Sequence, residues 1–153
     1  MAGKPKPIVT QKLEASCPTH SRTDVITRDV ETVIDEPIER GGTNLGLAPT
    51  ETMVAALAGC TNTILNKVAH SHGVDVIALS LDIEAKFDRR GVTLAEEVEV
   101  PYPEMTLNIA LTTSADDAAI EKVKTDLPRF CPVSKVIRHS GTKLEEVWTI
   151  TRP

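Results

Sequence analysis

The run Met53-Val54-Ala55-Ala56-Leu57-Ala58-Gly59-Cys60 constrains the fold more than any other stretch of this chain. Punctuation on both sides frames it as a helix. Ala48-Pro49-Thr50 opens it, with proline suited to the first helical turn, and Gly73 is a natural residue to follow its last turn. Met53, Leu57, Cys60, Ile64 and Val68 fall 4, 3, 4 and 4 residues apart, which places them on one apolar stripe. Because the first half is apolar on nearly every side, this helix is expected to be central and buried.

Strands surround it in the sequence. Leu79, Leu81, Ile83, Ala85 and Phe87 alternate with Ser80, Asp82, Glu84, Lys86 and Asp88, within a strand signal running from Val74 to Gly91. Met105, Leu107, Ile109 and Leu111 repeat the alternation. Between them, Val92 to Pro103 reads as a long loop with an edge-strand portion, since its prolines cannot donate to a ladder. Shorter strands are expected at Ile8 to Ala15, Thr23 to Arg28 and Val30 to Ile34, and a last one at Leu144 to Thr151 carries the one tryptophan, Trp148. A second helix opens at Ser114-Ala115-Asp116-Asp117, turns Ala119, Ile120, Val123 and Leu127 to one face, and has Pro128 near its end. A short third helix spans Pro132 to His139 and stops at Ser140-Gly141. This order of elements predicts an α+β protein, and without repeats or an interior linker residues 1–153 read as one domain.

Charge and composition narrow the function. A net charge of −5 and an aromatic content of 3% give neither the electrostatic footprint nor the stacking platforms of a nucleic-acid binder, and no pull toward an anionic membrane. Apolar runs stay well short of the ~18 residues of a membrane helix. No apolar segment follows Lys4-Pro5-Lys6-Pro7, so a secretory signal is not expected. Three cysteines, an odd number at uneven spacing, do not make a secreted disulfide framework. The expectation is a cytoplasmic protein whose thiols rest reduced.

Two of those cysteines sit in contrasting places. Cys131 precedes Pro132 where the third helix begins. As its N-cap it would face unpaired backbone N–H groups and the positive end of the dipole, with Arg129 and Lys135 nearby, all favouring thiolate. Packing of a small residue behind Pro128 is the alternative reading. Cys60 lies about ten residues into its helix, beyond the reach of the helix dipole, where burial alone would leave it an inert core thiol. To act as a nucleophile it needs a cation brought to it, for which Arg22, Arg28 and Arg40 are candidates. Glu51 could orient such an arginine, or could be a solvated acid of the first turn.

Other motifs carry less. Cys17 and His20 have the spacing of half a metal site, but no second pair completes it. His70, His72 and His139 lie near helix C-termini, where capping accounts for them. The run Gly41-Gly42-Thr43-Asn44-Leu45-Gly46 precedes a helix but lacks the Gly-Lys-Ser/Thr of a phosphate loop.

The stretch from Asp35-Glu36-Pro37 through Gly41-Gly42 and Pro49-Thr50-Glu51 to Ala58-Gly59-Cys60 resembles the OsmC/Ohr family of organic hydroperoxide-reducing proteins. So does Phe130-Cys131-Pro132-Val133-Ser134, and the resemblance runs from Ser21 to Thr151. It implies an OsmC-like α+β fold, with antiparallel sheets packed around a central cysteine-bearing helix and two chains intertwined as a homodimer with active sites at the interface. It also implies a stress-response thiol peroxidase. Cys60 would attack an organic hydroperoxide and become a sulfenic acid, and Cys131 would resolve it to a disulfide. A dithiol reductant, lipoyl-type or other, would restore both, with no cofactor and no metal. Arg22 is the nearest match to the activating arginine and Arg28 the second, with Glu51 as the orienting carboxylate. The chain departs from the hydroperoxide-resistance pattern at one point. That pattern has glutamate directly after the proline; Thr50 stands there instead, and Glu51 is displaced by one residue, about 100° around the helix. Pro-Thr-Glu is the pattern of the broader OsmC-like branch. A non-catalytic protein holding a small apolar or thiol ligand at the dimer interface, or a redox sensor, are the alternative readings.

Overall fold

The computed structural model describes residues 4–153, and the chain falls into two compact units, one ending at Met53 and the other running from Val54 to Pro153. In the first, β1 (Glu14–Ser16), β2 (Thr23–Thr27) and β3 (Val30–Ile34) form an antiparallel sheet in the order β1-β2-β3. Arg28 takes a left-handed conformation, φ 56°, in the two-residue turn between β2 and β3. The strand expected from Ile8 shrinks to three residues: Ile8 and Val9 are solvent-exposed, and pairing with β2 begins at Glu14.

Beyond β3 the chain wraps around one carboxylate. Asp35, fully buried, accepts hydrogen bonds from the backbone N–H groups of Glu36, Thr43 and Leu45 and from the Thr43 hydroxyl. These bonds hold the carboxyl down at about 2. The wrap is tight enough to demand glycine. A Cβ on Gly42 would meet the Glu36 carbonyl oxygen at 1.8 Å, and one on Gly46 the Val33 oxygen at 1.9 Å. The glycine-rich run is thus a backbone cradle for Asp35, and it delivers the chain to α1 (Pro49–Ser71).

Helix α1 ends as its glycine predicts. Gly73 is left-handed, φ 68°, and the N–H of Val74 reaches back to the Ala69 carbonyl. Its buried residues are Leu57, Thr61, Leu65, Val68 and Ala69, whereas Ala55, Ala56 and Gly59 are exposed. One face is covered, where the sequence predicts burial all round.

The second unit adds β4 (Ala78–Lys86), β5 (Glu104–Thr112), α2 (Asp117–Phe130), α3 (Pro132–His139) and β6 (Lys143–Thr151). The sheet order is β4-β5-β6. Leu79, Leu81 and Ile83 lie opposite Leu111, Ile109 and Leu107, and Met105, Leu107, Ile109 and Leu111 of the central strand β5 are almost wholly buried. The expectation of antiparallel sheets needs one correction: β6 runs parallel to β5, with Ile109 opposite Trp148. Two helices separate these strands and carry the chain back to the starting end, which a parallel pair requires. A second correction concerns residues 87–103, which contain no strand. That excursion is closed by Arg90 pairing with Asp88 and Glu96, by the Asp88 N–H bonded to the Pro101 carbonyl, and by the Phe87 and Tyr102 rings 5.0 Å apart. No described helix is long and apolar enough to cross a membrane.

Candidate active site

Proline makes the second cysteine's position. The residue before a proline is driven out of helical geometry, and Cys131, at φ −76° and ψ 107°, both ends α2 and caps α3. Ser134 donates from its hydroxyl to the Cys131 carbonyl at 3.3 Å, and the Cys131 side chain is buried at this corner, 1% exposed. Cys60 comes to the same corner from α1, half-buried. The Cys131 thiol donates to the Cys60 sulfur at 3.3 Å, and both cysteines are free thiols.

The sulfur of Cys131 makes no capping bond to α3, against the expectation that it would face the helix amides. Cys60 takes that place: the Val133 N–H bonds to the Cys60 sulfur. Burial pushes the Cys60 thiol up, the Val133 amide pulls it down, and Cys131 beside it pushes it up again. Arg129, placed by the sequence near Cys131, pairs with Asp126 at 2.7 Å and lies over the Phe130 ring. His72 bonds the other oxygen of Asp126 at 2.8 Å, so it links α1 to α2 rather than capping its own helix.

The remaining candidates have partners of their own. Arg22 forks onto Asp24, at 2.6 Å through Nε and 3.1 Å through Nη2, and this pairing raises the affinity of its guanidinium for its proton. Arg28 is the hairpin-turn residue, and Arg40 pairs with Glu36 at 3.0 Å. Glu51 accepts from the Ala48 N–H at 2.8 Å, the carboxylate half of a capping box at the start of α1. Cys17 lies on the surface, 4.0 Å from the Thr23 hydroxyl, and among the described residues no group of three His, Cys, Asp or Glu is placed to hold a metal ion. Of the predicted site residues, the structure therefore brings Cys60 and Cys131 together, while Arg22 and Glu51 are engaged by Asp24 and Ala48.

Two groups, one acting on Cys60 and one organising the loop after β3, have roles that the sequence analysis does not assign. The Val133 amide had a readable signal, since the second residue of a helix that opens on proline has an unsatisfied N–H. Asp35 enters the sequence analysis only as the first residue of the stretch that carries the resemblance, because a lone aspartate after a strand otherwise looks like any turn residue.

The family model for OsmC-like proteins matches residues 42–147. Among solved structures, an OsmC-like protein from Mycoplasma pneumoniae is 14% identical, with a TM-score of 0.78 over 94% of this chain and 98% of that one. A protein from Legionella pneumophila is described as an organic hydroperoxide resistance protein OsmC, predicted redox protein and regulator of sulfide bond formation. It is 18% identical, with a TM-score of 0.65 over 94% and 99% of the two chains. The organic hydroperoxide resistance protein OhrB of Bacillus subtilis is 18% identical, with a TM-score of 0.59 over 92% and 98%. At such identities the likeness establishes the fold, which is the OsmC-like fold that the sequence resemblance implies. No curated protein matches the chain.

Proposed function

This chain belongs to the OsmC-like protein family, and on that footing we propose that it is a cofactor-free thiol peroxidase that reduces organic hydroperoxides. The observation that carries the reading is the pair of free thiols 3.3 Å apart across the corner between α1 and α3. The Cys60 thiolate attacks the O–O bond and takes up one oxygen as a sulfenic acid, while the leaving alkoxide is protonated to the alcohol. Cys131 then attacks the sulfenic sulfur, water departs, and a Cys60–Cys131 disulfide remains. A dithiol reductant exchanges with it and leaves as its own disulfide. Resting thiols of this kind suit a reducing, cytoplasmic compartment.

A homodimer is part of the proposal. Ile38, Leu45 and Leu47 are exposed, as are Ala55 and Ala56 on α1, and a second copy would cover such surface. Activation by Arg22 or Arg28 also belongs to this reading, and would require Arg22 to share or leave Asp24.

Turnover of cumene hydroperoxide with excess dithiothreitol tests it. Cys60→Ser is expected to abolish consumption, and Cys131→Ser to permit one equivalent and then stall. Full activity in Cys60→Ser would end the mechanism. The engagement of Glu51 as a helix cap favours one other reading, a non-catalytic protein that binds a small apolar or thiol ligand. That reading predicts no peroxide consumption by the parent chain.

A further inference from the structure

Where α2 gives way to α3 there is an open groove of about 510 Å³ that the thiol chemistry does not use. Pro128, Arg129 and Phe130 from the last turn of α2 line it, together with Lys135, Arg138 and His139 of α3. The three α3 residues are spaced i, i+3 and i+4, which puts them on one face of that helix. Neither Cys60 nor Cys131 is among the lining residues. Phe130 directly precedes Cys131, yet Cys131 is enclosed and Phe130 is 58% exposed.

A basic groove stands out on a chain of net charge −5, and its cations are not equally free. Arg129 pairs with Asp126 at 2.7 Å, and Arg138 with Glu146 at 3.2 Å while also donating to the Leu144 carbonyl. Lys135 is exposed and has no ion pair among the described residues, so the groove holds one positive charge in surplus. Arg138 also carries a buried Nε without a hydrogen-bond partner, a donor that costs free energy until an acceptor reaches it. Beside these donors stands apolar surface. Of the four aromatic side chains Phe130 is the exposed one, for Phe87 and Tyr102 pack on each other and Trp148 is half-buried. Arg129 lies over the Phe130 ring, 5.6 Å from its centroid. An apolar platform with a few convergent polar groups, in a volume between about 300 and 1,000 Å³, is what a small-ligand site presents.

We propose that this groove binds a small aromatic carboxylate, with its ring against Phe130 and its carboxylate on Lys135 and the Arg138 guanidinium. The single surplus charge selects a monoanion. A phosphate monoester, at about −1.5 to −2, would leave negative charge unmatched. A planar carboxylate suits arginine donors, and the ligand ring gains an offset stack on Phe130 as it leaves water. The site is separate from the thiol pair and does not rest on the peroxidase reading.

The test titrates the reduced full chain with 2-naphthoate by calorimetry at low salt. Two controls divide the ligand: 2-naphthalenemethanol keeps the ring without the charge, and acetate keeps the charge without the ring. Naphthoate is expected to bind once per chain, and each control at least about tenfold more weakly, for want of a charge-assisted hydrogen bond or of the buried ring. Lys135→Glu is expected to weaken naphthoate by at least about tenfold and leave the neutral alcohol unchanged. Phe130→Ala is expected to weaken both ring-bearing probes. Both substitutions fall at exposed positions, so the variants should melt as the parent does. Cys60→Ser is expected to bind naphthoate as the parent does. No binding of naphthoate at millimolar concentration, or equal binding by the parent, Lys135→Glu and Phe130→Ala, would overturn the proposal. So would acetate binding as tightly as naphthoate, or loss of binding in Cys60→Ser, which would put the probe at the thiols.

Discussion

Oxidation of the thiol pair should stabilise the folded chain by an amount that the structure sets. Cys60 and Cys131 are 71 residues apart, and a cross-link over a loop of that length removes unfolded-state entropy worth about 4 kcal/mol at 25 °C. The native state contributes little opposing strain if the bond closes locally. The sulfurs need to move from 3.3 Å to about 2.05 Å, an approach that small side-chain rotations can supply. For a chain of this size each kcal/mol moves the melting temperature by about 2–4 °C, so the oxidised protein should melt roughly 8–16 °C above the reduced one. The assay uses Cys17→Ser protein, removing the exposed third thiol, either oxidised with one equivalent of diamide or kept reduced with a phosphine. Both forms are unfolded thermally and in guanidinium at one protein concentration, because assembly would otherwise shift the midpoints. Equal midpoints, with the Cys60–Cys131 bridge confirmed by peptide mass, would refute the reasoning. They would mean that closing the bond distorts the helix corner by as much as the loop entropy gains, so the thiols are not held ready to pair.

Three further outcomes follow from the packing. Leu65→Ala, at a wholly buried position on α1, should cost about 2–5 kcal/mol in a denaturant titration, and a loss below about 1 kcal/mol would show that the inner face of the helix is loosely packed. Gly42→Ala should lower the melting temperature, because its Cβ would fall 1.8 Å from the Glu36 carbonyl oxygen, and an unchanged melting curve would contradict the close wrap around Asp35. Asp35 has a folded value of about 2 against an ordinary 3.8, so its contribution is complete above the ordinary value, declines as pH falls through it and is gone below about 2. Asp35→Asn should therefore flatten the acid side of the stability–pH profile across that window, and an identical slope in the variant would contradict the assignment.

Much of the fold was legible because its boundaries are punctuated. Val30–Ile34 and Pro132–His139 are legible to the residue, the latter because proline opens that helix and Ser140-Gly141 stops it. The alternation in β4 and β5 identified the wet and dry faces, but a period of two says nothing about a partner's direction, so the parallel return of β6 was not visible. Ile8 and Val9 misled because apolar residues signal a strand only where something pairs with it. At the site, the residues themselves gave each cysteine its local setting, while their meeting in space was known only through family resemblance. The reversal of roles at the cap, with Cys60 rather than Cys131 taking the Val133 amide, depends on how two helices cross and has no linear signature.

The most direct test of the account is to add one equivalent of cumene hydroperoxide to the reduced protein, count free thiols over time, and map any bridge by peptide mass. The account predicts rapid loss of two thiols per chain, a single Cys60–Cys131 disulfide, and a faster reaction than with hydrogen peroxide. Three thiols remaining after prolonged exposure would contradict it.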